Sequence, residues 1–398
     1  MRVKCEKRGV EQINGRTVNL ILPCAQAILY TLLDLMPSPY QRLSLQASLA
    51  LFFEPSNGQM LPEHSVIKSP AALSRFLNKY GWPTRAVIRS TRKHIILQLN
   101  QFAEIGRRPY LQVIIDLTTL PKRGKFKAFS ELIHILNGKR GLHIVVMYLV
   151  VGQWRMPWAF RTWRGKDTRT PAQLGLRLLR TLPKKLTHRF RVQVLADTGF
   201  SSVEFLEGVK KLRLDAIVGI PKNRTLCDGK AIRSITKKGQ LVRLTGFNDT
   251  VTVSWFYLHR DGKLEKRFVI STRPLKGTTI TWWGRRRWAI EGFFKTAKYQ
   301  FGLASFGQQT LLGVYRWLIL SLISFVLVYW VYLSSNPQQP PQWRQSAALT
   351  LEQAVIVISN KFETQRSSHS DDLAYPNCLI LNWNNYNFNK ISTEFDPV

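Results

Sequence analysis

The sequence predicts an α/β protein: a mixed sheet flanked by helices, with a helical region before it and a β-rich insertion within it. Three observations carry that expectation. Residues 1 to about 105 read as helices with loops, with apolar residues near helical spacing at 69–80 and 83–102. From Pro109 to Ile220, apolar β-branched runs interleave with helical patterns, as in a sheet covered by helices. Between Pro221 and Thr281 only strand patterns and turn signals appear.

In the N-terminal region, residues 25–36, 40–53, 69–80 and 83–102 read as helices. Ser69 with Pro70, and Pro83 with Thr84, are start signals: a hydroxyl can accept from a free first-turn N–H, and proline lacks one. The last two helices, joined across Gly81, Trp82 and Pro83, carry Arg85, Arg89, Arg92 and Lys93 on the second. That suits a DNA-binding helical module, or equally a basic cap with no base readout.

Residues 111–119, LQVIIDLTT, read as a buried strand with Asp116 near its end, followed by the basic loop 121–127. Residues 141–152 and 156–163 are two more strands, and 171–182 is a helix. Residues 191–197 give a fourth strand ending in Asp197, 201–212 a helix, and 214–220 a fifth strand. Three strands, a helix, a strand, a helix and a strand is the order of ribonuclease H-like folds. In the insertion, residues 241–247, 250–260 and 266–273 read as hairpin strands. Trp255 and Tyr257 there are candidates to stack on a displaced base, although packing is the commoner role for aromatic strand residues. The expected division is a helical DNA-binding region 1–105, a catalytic domain 106–335 with its insertion at 221–281, and a linker and tail 336–398. One more helix is expected in the tail, at 347–360.

Composition narrows the function. With 45% hydrophobic and 11% aromatic residues, the chain has material for real cores and is no disordered polycation. Lys and Arg number 58 against 24 Asp and Glu, a formal charge of +34, which calls for a polyanionic partner, nucleic acid before an anionic membrane. From Arg344 onward four basic residues face six acidic ones, so the excess lies ahead of the tail. Cys5, Cys24, Cys227 and Cys378 show no CxxC or His pairing, and the start shows no secretory pattern; a reducing cytoplasm and no zinc site are expected. Trp317–Leu333 is seventeen residues without a charge. A membrane span needs about 20, so the stretch is read as a buried helix.

Carboxylates are scarce in this basic chain. From Ile105 to Val203 they are Asp116, Glu131, Asp167 and Asp197; between Glu265 and Glu352 there is Glu291 alone. Glu291 lies in WWGRRRWAIEGFFKTAK, residues 282–298, where one helix would set Arg287, Glu291, Lys295 and Lys298 along a single face. Plainer readings stand beside this: Glu291 in a solvated i,i+4 ion pair, and Asp197 as the cap of the next helix. Asp116, Asp197 and Glu291 are 81 and 94 positions apart, so only the fold can bring them together. Were they to converge, their mutual repulsion would call for divalent cations, and hard oxygen donors suit Mg2+ or Mn2+. Two such ions about 3.5–4 Å apart clamp a phosphodiester for attack by water or a 3′-hydroxyl.

The pattern resembles the DDE transposases of bacterial insertion sequences, of the insertion-sequence-four type, which carry a β-stranded insertion between the second Asp and the Glu. The resemblance runs from about Pro109 to about Trp330. Its most specific part is a Tyr, Arg, Glu, Lys signature, matched by Arg287, Glu291 and Lys298 in type and spacing, with Gly284 standing where the Tyr belongs. Trp282 and Trp283 directly precede that position, and Gly284 is the residue to convert to Tyr should the chain prove inactive. The resemblance implies that Asp116, Asp197 and Glu291 hold two divalent cations while Arg287 and Lys298 contact DNA phosphates. Lys295, one turn beyond Glu291, and Lys122, Arg123 and Lys125 of the basic loop are further DNA-contact candidates. It implies cleavage at the ends of an element, strand transfer into target DNA, a homodimer holding both inverted repeats, and a bacterial cytoplasmic setting. The same three acids would equally serve a structure-specific nuclease that cuts without joining, and the charge alone a catalytically inactive DNA-binding copy.

Overall fold

A computed structural model describes residues 25–335 apart from 26, 53–64, 66–67, 102, 104–107, 123–128, 153 and 261. The helix expected at 347–360 lies outside the described residues, as do Cys5, Cys24 and Cys378. Residues 27–34 are helical, and after them come helices α1 (Pro39–Ala50), α2 (Pro70–Asn78) and α3 (Thr84–Gln101), then strands β1 (Tyr110–Pro121), β2 (Ile133–Leu136), β3 (Lys139–Val151) and β4 (Trp154–Thr162). There follow α4 (Pro171–Leu179), α5 (Lys184–Arg189), β5 (Arg191–Ala196), α6 (Val203–Lys211) and β6 (Asp215–Ile220). The last are β7 (Gln240–Arg243), β8 (Thr250–Arg260), β9 (Lys263–Ser271), α7 (Gly277–Arg286), α8 (Ala289–Tyr299) and α9 (Leu311–Ser335). The chain divides into two compact units: residues up to His94 together with those from Ala297, and Ile95–Thr296 between them.

The first unit is helical. The Ser38 and Ser69 hydroxyls accept from the N–H groups of Gln41 and Ala72, and Pro39 and Pro70 open the helices they cap, so the start signals act as local chemistry predicts. Helix α9 packs on α1 and α2. Its first part, Leu311–Trp330, is long and apolar enough by composition to cross a membrane, but 83% of it is buried inside the fold, as expected for a core helix. Arg316, 3% exposed, holds the turn between α2 and α3. Its guanidinium donates to the Phe76, Leu77, Tyr80 and Trp82 carbonyls and to the Thr84 hydroxyl, and lies 4.2 Å from the centre of the Trp82 ring. Burial pushes that guanidinium down to about 10. The side chain satisfies carbonyls that the end of α2 leaves without helical partners.

In the second unit, nine strands form one mixed sheet in the order β2-β3-β1-β5-β6-β9-β8-β7, with β4 also on β3. β1 runs antiparallel to β3 and parallel to β5, and β5 is parallel to β6. The five strands β4-β3-β1-β5-β6 are the ribonuclease H-like core. The inserted hairpin β8–β9 does not build a sheet of its own. Its buried end, Phe268–Ser271, pairs antiparallel with β6 and continues the core sheet past what would otherwise be an open edge.

The sequence reading did not single out β2. It is joined to β3 across Asn137 and Gly138, with φ of 50° and 74°, the Asn-Gly turn whose twist suits a two-residue hairpin. Asp116 is also placed differently: it sits within β1, opposite Val146 of β3, and not near the strand's end. What ends there is the parallel pairing with β5, whose last pair is Ile115 with Ala196.

Candidate active site

Asp116 comes from within β1 and Asp197 from just past the end of β5, while α8 brings Glu291 to Arg287, which pairs with both Glu291 and Asp116. Beyond Ile115 and Ala196 the next residues are Asp116 and Asp197, so parallel pairing sets these carboxylates side by side on neighbouring strands. Asp197 also caps the short turn Thr198–Phe200, its Oδ1 accepting from the Gly199 N–H at 2.9 Å. The following helix α6 is capped instead by Ser202, whose hydroxyl accepts from the Phe205 N–H, so Asp197 caps the turn and not the helix. Gly219 of β6 makes room for the turn, since a Cβ there would stand 3.0 Å from the Thr198 nitrogen and hydroxyl. Asp116 accepts from the Leu117 N–H at 2.8 Å.

Glu291 arrives by another route. The single helix expected over 282–298 is broken: α7 ends at Arg286, α8 begins at Ala289, and Arg287 and Trp288 form a tight turn between them. Trp288, Ile290 and Glu291 each donate to the carbonyl three residues back, so the 3.6-residue phase is interrupted there. Arg287 nevertheless joins the corner. One terminal nitrogen donates to Asp116 Oδ2 at 2.7 Å and the other to Glu291 Oε1 at 2.9 Å. The plain i,i+4 pair is thus present, and the same guanidinium carries it to an acid 171 residues away.

The electrostatics follow from these positions. Burial, with the neighbouring Asp197 charge, pushes the Asp116 carboxyl up to about 7 against the pull of Arg287 and the Leu117 N–H, and Glu291 adds a smaller repulsion. Asp116 and Arg287 have side chains 10% and 15% exposed, while that of Glu291 is 46% exposed. The corner thus has one buried wall and one open to solvent. Carboxylates are donors that suit a hard divalent cation, and a cation there would relieve the repulsion on Asp116. Among the described residues, no three His, Cys, Asp or Glu side chains stand together closely enough to hold a metal ion. Arg287 lies between two of the carboxylates and pairs with both.

Lys295 and Lys298 follow Glu291 on α8, one and two turns on, and both are half-buried. Lys122, directly after β1, is held by burial at about 8. Arg123 and Lys125 lie outside the described residues. Trp255 is buried between Phe268 and the Lys266 ammonium, so of the two stacking candidates only Tyr257 is exposed. Gly284 packs α7 on the sheet: a Cβ there would lie 3.1–3.2 Å from Val269 and Phe256, leaving no room for the tyrosine of the resembled signature. Sequence reasoning missed Gly219, and it missed Lys238, Arg285 and Arg286, which line a cleft with Trp282. The signal for the latter was the spacing of 278, 281, 282, 285 and 286 on one helical face.

Fold and site together define an α/β protein of ribonuclease H-like topology with an acidic corner where its central parallel strands part. Residues 107–327 match the Transposase DDE domain family, and the chain belongs to that family. No curated protein matches the sequence. Among solved structures the chain is similar to a piggyBac transposase in a synaptic complex with hairpin DNA, at 13% identity and a TM-score of 0.45 over 90% of this chain and 82% of that one. A likeness so distant has no bearing on individual residues.

Proposed function

We propose that this protein is a transposase of the bacterial insertion-sequence-four type that cuts DNA at the ends of its element and joins the freed 3′ ends to target DNA. The observation that carries the reading is the meeting of Asp116 and Asp197 on adjacent parallel strands with Glu291 tied to Asp116 through Arg287. Asp116, Asp197 and Glu291 would hold two Mg2+ or Mn2+ ions, which supply charge stabilisation to the phosphodiester and activation of water or a 3′-hydroxyl. The residues' own parts are distinct. The Gly199 N–H fixes the Asp197 carboxylate, and the buried wall around Asp116 excludes water from one side of the corner. In this reading Arg287, which pairs with two carboxylates in the protein alone, exchanges them for a DNA phosphate, since its planar fork suits either partner. Lys295 and Lys298, and Lys122, Arg123 and Lys125 of the basic loop, add phosphate contacts. Arg85, Arg89 and Lys93, exposed at i,i+4,i+8 on α3, form a stripe suited to the DNA backbone. We place the protein in the bacterial cytoplasm as a homodimer holding both inverted repeats.

The test is a joining assay with a labelled duplex carrying the element's inverted repeat and an unlabelled target duplex, in Mg2+ or Mn2+. Products in which the labelled 3′ end is joined to the target support the transposase reading. Cutting at the repeat boundary without joined product would assign a nuclease, and binding with neither would assign an inactive copy.

A further inference from the structure

Helix α7 has two faces with different work. Gly277, Ile280, Trp283 and Gly284 are buried against the sheet. Thr278, Thr281, Trp282, Arg285 and Arg286, at i, i+3, i+4, i+7 and i+8, line an open cleft of about 520 Å³ together with Lys238. Lys238 comes from the loop before β7, so the insertion itself supplies one wall. That loop lies directly on the start of the helix: a Cβ at Gly277 would stand 2.7 Å from the Lys238 Cβ and 2.8 Å from the Gly239 nitrogen, and Gly239 itself has φ +83°. The two glycines are what allow the loop to bring its lysine there.

The cleft is built for an anion. Among the described residues, no ion pair engages Lys238, Arg285 or Arg286. Burial, and to a lesser extent the like charge of Arg155 of β4, holds the Arg286 guanidinium below the usual range. Arg286 is laid flat by contact with Trp282, 3.8 Å from the ring centre, while Trp282 is 49% exposed. A guanidinium fixed in this way has less rotamer freedom to lose on meeting a phosphate.

We infer that this cleft is a second DNA-binding site, taking the phosphate backbone of a duplex other than the strand held at Asp116, Asp197 and Glu291. The inference rests on the transposase reading for its partner, and on charge and geometry for its place. Arg287, the next residue in the chain, turns to Asp116, whereas Trp282 and Arg286 lie on the helix face opposite the buried one and Thr281 and Arg285 at its edge, beside Ser254 and Phe256 of β8, so the two sites meet different DNA. Arg285 and Arg286 fork onto phosphates, Lys238 contributes a point charge, and Trp282 is a positioning residue for Arg286.

The test titrates the whole protein with a short labelled duplex of arbitrary sequence over a range of salt. Each phosphate contact adds close to one unit to the slope of log K against log salt, so R285A/R286A lowers the slope by about two and K238A by about one. The proposal expects W282A, which changes no charge, to weaken binding and W282F to restore part of it. The exposed pair Lys184 and Lys185 on α5 is the control for a general field. Wild-type slope in R285A/R286A, or an equal fall in K184A/K185A, would overturn the proposal. Should the wild type neither cut nor join, the titration still reads the cleft, so failure of the transposase reading is a separate result.

Discussion

Replacing Asp116 by Asn tests the electrostatics of the corner without asking for activity. In the folded chain, burial and Asp197 hold the Asp116 carboxyl up at about 7, against a reference of 3.8. Below about pH 4 the carboxyl is neutral in folded and unfolded chains alike, and the native state bears no penalty. Between about pH 4 and pH 7 the unfolded chain ionises while the folded one keeps its proton, so native stability falls by about 1.4 kcal/mol per pH unit. Above pH 7 both states are ionised and the penalty is constant, at most about 4 kcal/mol for a displacement of about three units. Asn is close in shape to the neutral acid and carries no such penalty. D116N should therefore match the wild type near pH 4 and exceed it increasingly up to pH 7, as measured by denaturant unfolding in the presence of a chelator. Added Mg2+ or Mn2+ at pH 8 should raise the wild-type midpoint and leave that of D116N where it was. A constant difference between the two proteins from pH 4 to pH 8 would refute the account of Asp116 as a buried, repelled carboxyl.

Two further substitutions test the packing around the site and the helical unit. G284Y restores the tyrosine of the resembled signature, yet places a ring where even a Cβ stands 3.1–3.2 Å from Val269 and Phe256; a loss of about 3 kcal/mol or more is expected by thermal unfolding, with no gain in cleavage. A stable, more active G284Y would mean that α7 is packed differently. R316M leaves the carbonyls of Phe76, Leu77, Tyr80 and Trp82 without their donor and should lower stability by about 3 kcal/mol, while R316K recovers only part of it; unfolding of R316M at the wild-type midpoint would show that these contacts carry no weight.

What the sequence made legible is what local chemistry decides. Strand runs from Leu111 and Arg191, the Ser69–Pro70 helix start and the uncharged stretch from Trp317 all express periodicity or capping, and the structure bears them out. The pairing of Asp116 with Asp197 was legible because acids are rare there and each follows a buried run. Tertiary geometry decided the rest. The break at Arg287 and Trp288 interrupts a pattern that looks continuously helical, because reaching Asp116 requires Arg287 to leave the phase of the helix before it. Gly284 read as a missing contact and is a packing position, which only the distance to Val269 reveals. The union of β9 with β6 joins distant segments and has no signature in either strand.

The central claim is that Asp116, Asp197 and Glu291 act as one metal-holding set. Its most direct test is single-turnover nicking of a duplex at the inverted-repeat boundary by the wild type, D116N, D197N and E291Q, with Mg2+ or Mn2+ and with chelator. The account predicts metal-dependent nicking by the wild type and a fall on the order of a thousandfold in each variant, from the loss of several kcal/mol of charge stabilisation. Near-wild-type nicking by any one of the three, or wild-type nicking undiminished by chelator, would contradict it.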